Sequence, residues 1–489
     1  MRIWSRGLIG RDRQGEPREE ALAMIHHVMT GESGGAIAHI RVLVVIGTRP
    51  ETIKMIPVIR ALQQSGVFRP VVIATGQHTD MVETLIAQAG LRLDANLHAG
   101  RRDEEGRPPS LNELVARIMT GIDRIWREQR VPEAFSADGR RTPGGAAACL
   151  VHGDTSSAMA AALASFNLQI PVVHVEAGLR TSNLSEPFPE EGNRQIISRL
   201  AAVHFAPTEA NRQNLLREGV ESDRIVVTGN TSIDMLGWAM EQTRDFGPGL
   251  EALTADPERR LVLVTAHRRE NWGEGLRGVA SAIARLSEAY PDVDFVVPMH
   301  PNPIARQPML DALGDLSNVH LVEPRDYFAF VHLTAAASLI ITDSGGVQEE
   351  APAFGIPVLV TRGVTEREEG VRAGTLQLVG TDPDRIVAAA SVVLDRTAEE
   401  AARAKLEAPE NPYGDGWAAI RIVDSLRLLL HEGPVPAELE VELPGLREAV
   451  REHLGRTAAA SVPAPIPAAV SAPVGSGVGA GDVSAVPQS

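Results

Sequence analysis

Three acidic side chains, Asp154, Glu176 and Glu190, stand in short motifs that follow or open regular elements. Asp154 lies in His152-Gly153-Asp154-Thr155, directly after an apolar run, and Glu176 follows the apolar run 172–175. Glu190 belongs to Pro187-Phe188-Pro189-Glu190-Glu191-Gly192-Asn193-Arg194. A carboxylate at the end of a buried strand is unfavourable unless it is paired or has a chemical task. Taken singly, each reads as a helix cap or a surface acid, because acids at helix starts are common. Taken together, with Arg180 and Arg194 interleaved, they read as an acid/base site.

A second group of residues suits an anionic ligand. Gly47-Thr48-Arg49-Pro50-Glu51 opens a helix, with Lys54 one turn on. Arg49 and Lys54 either face an anion near the helix N-terminus or form an ordinary solvated helix start. His267 ends another strand beside Arg268 and Arg269, and is placed to donate to a phosphate or a leaving oxygen. Asp343-Ser344-Gly345-Gly346 runs from strand into helix, where Ser344, Gly345 and Gly346 offer a hydroxyl and backbone N–H groups to a diphosphate. Glu350, about one turn further, is placed to accept from two ribose hydroxyls. His174, His267, His300 and His320 lack the spacing of a metal site, so no metal is expected. Cys149, the single cysteine, sits in an apolar run and reads as inert core in a reducing compartment, so a cytoplasmic protein is expected.

The elements that hold these residues alternate. Strands are expected at 41–46, 71–74, 147–151 and 172–175, with helices at 51–64, 80–89, 110–130 and 156–166. The strand runs are β-branched without alternation, as in a parallel sheet covered on both faces. A second series follows: strands at 261–265, 294–298, 319–322, 339–342, 357–360 and 376–379, with a helix at 276–288. Two such series predict an α/β protein of two Rossmann-like domains facing a central cleft, with ligands outside the carboxyl ends of the strands. Residues 132–145 read as an exposed loop, 1–38 as a loose extension, and 458–489 as a disordered Ala/Pro-rich tail. The 489 residues carry a net charge of -16, which argues against a general nucleic-acid binder. No apolar run approaches the roughly 18 residues of a membrane span, and no signal peptide is read at the N-terminus.

The motifs resemble, in order, those of the non-hydrolysing UDP-N-acetylglucosamine 2-epimerases. They are Gly-Thr-Arg-Pro-Glu at 47–51, His-Gly-Asp-Thr at 152–155, His-Val-Glu-Ala-Gly-Leu-Arg-Thr at 174–181 and Pro-Glu-Glu-Gly-Asn-Arg at 189–194. Gly-Asn-Thr at 229–231, His-Arg-Arg-Glu-Asn at 267–271, Asp-Ser-Gly-Gly-Val-Gln-Glu-Glu at 343–350 and Asn-Pro-Tyr-Gly-Asp-Gly at 411–416 complete the set. The resemblance covers residues 40–432 and implies the GT-B-like architecture of many glycosyltransferases. It divides the chain into a catalytic domain of 39–227 plus 412–432 and a UDP-binding domain of 228–411, with a peripheral helical segment at 433–457.

It further implies reversible C2 epimerisation of UDP-N-acetylglucosamine to UDP-N-acetylmannosamine. UDP is eliminated to a 2-acetamidoglucal and added back, without nicotinamide or metal. Asp154, Glu176 and Glu190 match the family's catalytic carboxylates. Arg49, Lys54 and His267 match residues that hold the departing diphosphate. Ser344, Gly345 and Gly346 match the diphosphate cradle, Glu350 the ribose contact, Arg325 and Phe330 the uracil surroundings, and Arg367 a further nucleotide contact. Gln77, Arg268 and His300 match positions through which many bacterial members are activated by a second substrate molecule. Relatives imply a homodimer. Rival readings are an epimerase of a diacetamido or uronic-acid sugar nucleotide, or a glycosyltransferase of the same fold, which would not need three carboxylates on the first domain.

Overall fold

The structure is a computed structural model. It describes residues 40–128, 134–135, 141–142, 147–242, 250–251, 260–397, 400–401, 403–404 and 407–431. The extension 1–38, the segment 433–457 and the tail 458–489 lie outside the described residues.

The first half builds a seven-stranded parallel sheet from β1 (Ile40–Ile46), β2 (Phe68–Ala74), β3 (Ala95–Asn96), β6 (Ala148–His152), β7 (Val172–Val175), β8 (Ala201–Ala206) and β9 (Ile225–Val227). Its order is β3-β2-β1-β6-β7-β8-β9. The helices of this half are α1 (Arg49–Gln64), α2 (Thr79–Gln88), α3 (Leu111–Glu128), α4 (Ser156–Asn167), α5 (Glu190–Leu200) and α6 (Glu209–Arg217). The region expected as an exposed loop contains a short antiparallel pair, β4 (Ala134–Phe135) with β5 (Arg141–Thr142), which corrects part of that expectation. Ala148–His152 is buried throughout, as a strand covered on both faces must be.

The second half builds a six-stranded parallel sheet from β10 (Arg260–Thr265), β11 (Val293–Pro298), β12 (Val319–Val322), β13 (Leu339–Thr342), β14 (Val358–Val360) and β15 (Leu376–Leu378). Its order, β12-β11-β10-β13-β14-β15, is that of a doubly wound dinucleotide-type fold. Both sheets reverse direction beside their first strand, between β1 and β6 and between β10 and β13. Such a switch point opens a crevice at the carboxyl ends of the strands.

Helix α7 (Thr231–Glu241) joins the halves. Its Met235, Leu236 and Ala239 belong to one apolar core with Ile56 and Ile59 of α1, and with Leu261, Ile340 and Phe328 from the second half. The second half continues with α8 (Glu274–Ala289), α9 (Pro303–Leu313), α10 (Tyr327–Ala336), α11 (Gly345–Glu350), α12 (Glu368–Ala373) and α13 (Pro383–Leu394). The chain then returns, and α14 (Ala418–His431) packs on α1 and α7. Asp234 of α7 accepts the N–H groups of Ala418 (3.2 Å) and Ala419 (2.7 Å), capping the helix that comes back.

Candidate active site at the two switch points

The loops after β1 and β6 are stapled together by Glu51. Thr48 caps α1 and Glu51 reaches back in a capping box, its carboxylate accepting from the N–H of Gly47 (3.0 Å) and of Thr48 (2.7 Å). The other oxygen accepts from the Thr155 hydroxyl at 2.6 Å, and Thr155 caps α4. One side chain therefore sets the loop carrying Arg49 against the loop carrying Asp154. Burial pushes the Glu51 carboxyl up to about 7, against the lowering pull of these hydrogen bonds.

Asp154 accepts from Arg194 Nε (2.9 Å) and Nη2 (2.7 Å), and Arg194 also meets the buried Glu191 at 3.1 Å. The Asn193 amide holds the Asp154 carbonyl at 2.9 Å. Helix α5 thus presents Arg194 and Asn193 to the end of β6. Glu190, at the first position of α5, is half-buried, and its Oε2 makes no hydrogen bond within the described chain.

Glu176 follows β7 with φ of +61°, a left-handed backbone that is costly for a glutamate and is characteristic of functional sites. Gly153 makes room for it: a Cβ there would come within 3.2 Å of Glu176 Oε2. Glu176 Oε1 accepts from Lys54 and from Asn230 Nδ2 (3.1 Å), and Oε2 lies 3.8 Å from His152 Nε2. Burial alone would raise this carboxyl, but the Lys54 ammonium outweighs it and holds Glu176 well below the usual carboxylate range. Burial would likewise depress Lys54, yet Glu176 and Glu349 raise it.

Across the cleft, Asp343 is fully buried and organises the loop after β10. Its carboxylate accepts from the backbone N–H of His267 (2.9 Å) and Arg268 (2.9 Å) and from the Asn271 amide (3.1 Å). His267 Nδ1 lies 3.3 Å from Asp343, and its ring runs parallel to His300 at 6.2 Å. Burial pulls His267 below its ordinary value, so the imidazole is predominantly neutral near pH ~7. Ser344, the residue before α11, makes no capping bond with its side chain. Gly345 lies under the Arg367 guanidinium: a Cβ there would be 2.9 Å from its Cζ. Glu350 is buried, and burial pushes its carboxyl up to about 8. Its field and that of Arg49 both reach Tyr327, which puts the start of α1 opposite α11. The Tyr327 hydroxyl and Arg325 Nε are buried without a hydrogen bond within the described chain, and Phe330 packs half-buried on the shared core.

The structure therefore brings together Asp154, Glu176 and Lys54 at one rim, and His267, Ser344, Gly345, Glu350 and Arg367 at the other. It also corrects part of the sequence reading. Arg180 is not interleaved with the carboxylates; it turns away to a two-pronged pair with Glu218 (2.6 and 2.8 Å) and to Ser198. Lys54 and Arg367 are engaged by carboxylates of the chain itself. Gln77 accepts from Ser157 at 2.7 Å on the first sheet, while His300 sits beside His267. The other histidines have protein partners: His174 donates to the Gly153 carbonyl and His320 meets Asp294, both at 2.7 Å. Buried Cys149 has its thiol pushed up to about 12 by burial, the behaviour of core. Sequence reasoning missed Glu349, Asn230, Asp343 and the role of Glu51. Only Glu51 left a local sign, the Thr-x-x-Glu spacing of a capping box.

The family model for UDP-N-acetylglucosamine 2-epimerase matches residues 60–427. The chain belongs to the UDP-N-acetylglucosamine 2-epimerase family. It is 42% identical over 392 residues to the UDP-N-acetylglucosamine 2-epimerase of Escherichia coli K12, covering 79% of this chain and 98% of that protein. The Neisseria meningitidis UDP-GlcNAc 2-epimerase, solved bound to UDP-GlcNAc, superposes with a TM-score of 0.67 at 39% identity, covering 79% of this chain and 99% of that one. The Methanocaldococcus jannaschii UDP-GlcNAc 2-epimerase, solved with UDP-GlcNAc and UDP, gives 0.62 at 30% identity over 79% and 99%. The two-sheet architecture is that of this epimerase family. Residues 1–38 and 458–489 lie outside the family match.

Proposed function

We propose that this chain interconverts UDP-N-acetylglucosamine and UDP-N-acetylmannosamine: UDP leaves C1 as the C2 proton is removed, giving a 2-acetamidoglucal, and UDP then adds back to C1 while a proton is delivered to the opposite face of C2. The observation that carries the reading is the pair of facing switch points, one rimmed by carboxylates and the other by a loop-to-helix turn suited to a nucleotide. The relatives' solved complexes with UDP-GlcNAc and UDP support the same ligand here.

In this reading the sugar ring lies against Asp154, Glu176 and Glu190. Inversion needs proton-transfer groups on both faces of C2, and the three carboxylates come from three different elements. Glu176 stays ionised beside Lys54, whereas Glu190 has a free buried oxygen. The diphosphate lies between Arg49 and His267, against Ser344, Gly345 and Gly346. Positive charge and N–H donors there favour its departure, because negative charge grows on it as the C1–O bond breaks. Glu350 faces the ribose, Arg325 and Phe330 the uracil, and Arg367 supports the nucleotide side. The two rims belong to domains of 39–227 plus 412–432 and 228–411. Regulation through Gln77, Arg268 and His300, a homodimer and a cytoplasmic setting complete the reading; the family resemblance supports the first two and the single buried cysteine fits the last.

The deciding experiment is a proton NMR time course of UDP-N-acetylglucosamine with the purified protein in D2O. Solvent deuterium enters C2 of both epimers as they equilibrate. Product that keeps all its C2 protium would overturn the elimination.

A further inference from the structure

Glu349 has no part in the proton-transfer or nucleotide roles above, yet it gathers the cations those roles use. Its carboxylate is 6% exposed and takes four hydrogen bonds. Oε2 accepts from Lys54 Nζ (3.1 Å) and Asn230 Nδ2 (3.1 Å); Oε1 accepts from Arg367 Nε (3.0 Å) and Nη2 (2.9 Å). These donors come from three places: α1 of the first half, the crossing into α7, and the loop before α12 of the second half. Lys54 and Asn230 are also the two donors to Glu176 Oε1. The Arg367 guanidinium is confined on its other side by the bare backbone of Gly345.

We propose that Glu349 is a positioning residue that fixes Lys54 and Arg367 across the cleft and, through the shared donors Lys54 and Asn230, fixes the carboxylate of Glu176. The proposal rests on the epimerase reading. A lysine alone is a flexible stem with a mobile point charge, and a second carboxylate from the opposite half restricts it to one position. Asn230 then supplies a neutral donor to both carboxylates, so that neither is left with an unsatisfied buried oxygen on that side. Glu349 and Arg367 lie on the second half and Lys54 on the first, so Glu349 links the placement of Glu176 to the way the two halves face each other. Glu349 touches neither sugar nor nucleotide in this account; it acts through Lys54, Arg367 and Asn230.

A double-mutant cycle on the full-length chain tests this, using Lys54→Met, Glu349→Gln and the pair, with turnover of UDP-N-acetylglucosamine and thermal melting on the same preparations. Lys54→Met is expected to lower kcat about 100-fold and Glu349→Gln about 30-fold, with the pair within about threefold of Lys54→Met alone, because both remove one arrangement. Glu349→Asp, which keeps the charge, should recover at least about fivefold over Glu349→Gln. If Glu349 acts independently of Lys54 the two losses multiply, and a double variant slowed about 3,000-fold overturns the proposal. So does Glu349→Gln at the parental kcat while Lys54→Met is slow. If Lys54→Met itself runs at the parental rate, the reading beneath is overturned and the tether with it. Should Glu349→Gln fail to fold, Glu349→Asp replaces it in the cycle, and a double variant whose loss equals the product of the two single losses overturns the proposal.

Discussion

On the first sheet's rim, Glu176 is half-buried beside the Lys54 ammonium and stays ionised. On the second rim, Glu350 is buried with no ion pair among the described residues, and burial pushes its carboxyl up to about 8. Glu51, again on the first rim, is held by two N–H groups and a hydroxyl, and still rises to about 7. Burial raises all three carboxyls, so the difference in direction comes from their neighbours. Neutral donors lower a buried carboxyl but do not offset its desolvation; an adjacent ammonium does. In the proposed reading the first rim thus keeps an anion toward the sugar, while the second keeps a neutral carboxyl beside the ribose, next to the diphosphate cradle. Added negative charge there would oppose UDP.

The largest expected effect follows from removing charge on the first rim. Asp154→Asn, Glu176→Gln and Glu190→Gln should each cut turnover by about 100-fold or more, the scale of losing a general acid or base. Calorimetric UDP affinity should change little, since the proposed nucleotide contacts lie mainly on the other rim, and each variant should melt close to the parent. A folded Glu176→Gln with full activity would remove that residue from the mechanism and leave the comparison without its first term.

On the second rim the effect is smaller and reads out as stability. The folded Glu350 carboxyl keeps its proton up to about 8, while the unfolded chain releases it near 4.5. Native protein then binds more protons than unfolded protein between those values, so stability falls as pH rises through that window. The contribution is fully present below the unfolded value and lost above the folded one. Glu350→Gln removes this group's share, so melting curves of variant and parent should diverge between pH 4.5 and about pH 8, with the variant higher at the alkaline end. A constant gap across that range would mean that Glu350 is ionised in the folded protein.

Much of this arrangement was legible in the residues, and the unread part has physical reasons. The long buried strands β1 and β10 announce themselves as β-branched runs before motif loops. In contrast β3, of two residues, and β9, of three, are too short to show any pattern, and β8 is Ala-Ala-Val-His-Phe-Ala. The sequence reading accordingly found four strands of the first sheet where seven exist. Asp154, Glu176 and His267 were found because a polar residue at the end of an apolar strand is conspicuous. Glu349 was missed because it stands beside Glu350 inside a helix, and its three partners lie 295, 119 and 18 residues away. No local pattern predicts which of two adjacent glutamates turns toward a lysine 295 residues earlier. Asp343 was quoted within its motif but not singled out, since its donors are backbone groups of a loop 75 residues earlier.

The smallest catalytic effect is expected at Arg180, and it separates motif membership from site membership. Arg180 and Arg194 both lie in motif segments and both are buried arginines, with side chains 5% and 7% exposed. Arg194 holds Asp154 at the rim, whereas Arg180 grips Glu218 and Ser198. Arg180→Gln strands Glu218, which is 28% exposed and can recover water, so the loss is moderated relative to a fully buried pair. Melting should drop by a few degrees, while kcat on the folded protein stays within about twofold of the parent. Arg194→Gln should do the reverse in kind. It frees the Asp154 carboxylate from its only ion-pair partner among the described residues, and turnover should fall by about tenfold or more. Equal kinetic losses in the two variants would mean that Arg180 reaches the site through α5, where Ser198 lies on the helix that carries Glu190 and Arg194. Unequal losses in the stated order would place the boundary of the site between two arginines of neighbouring motifs.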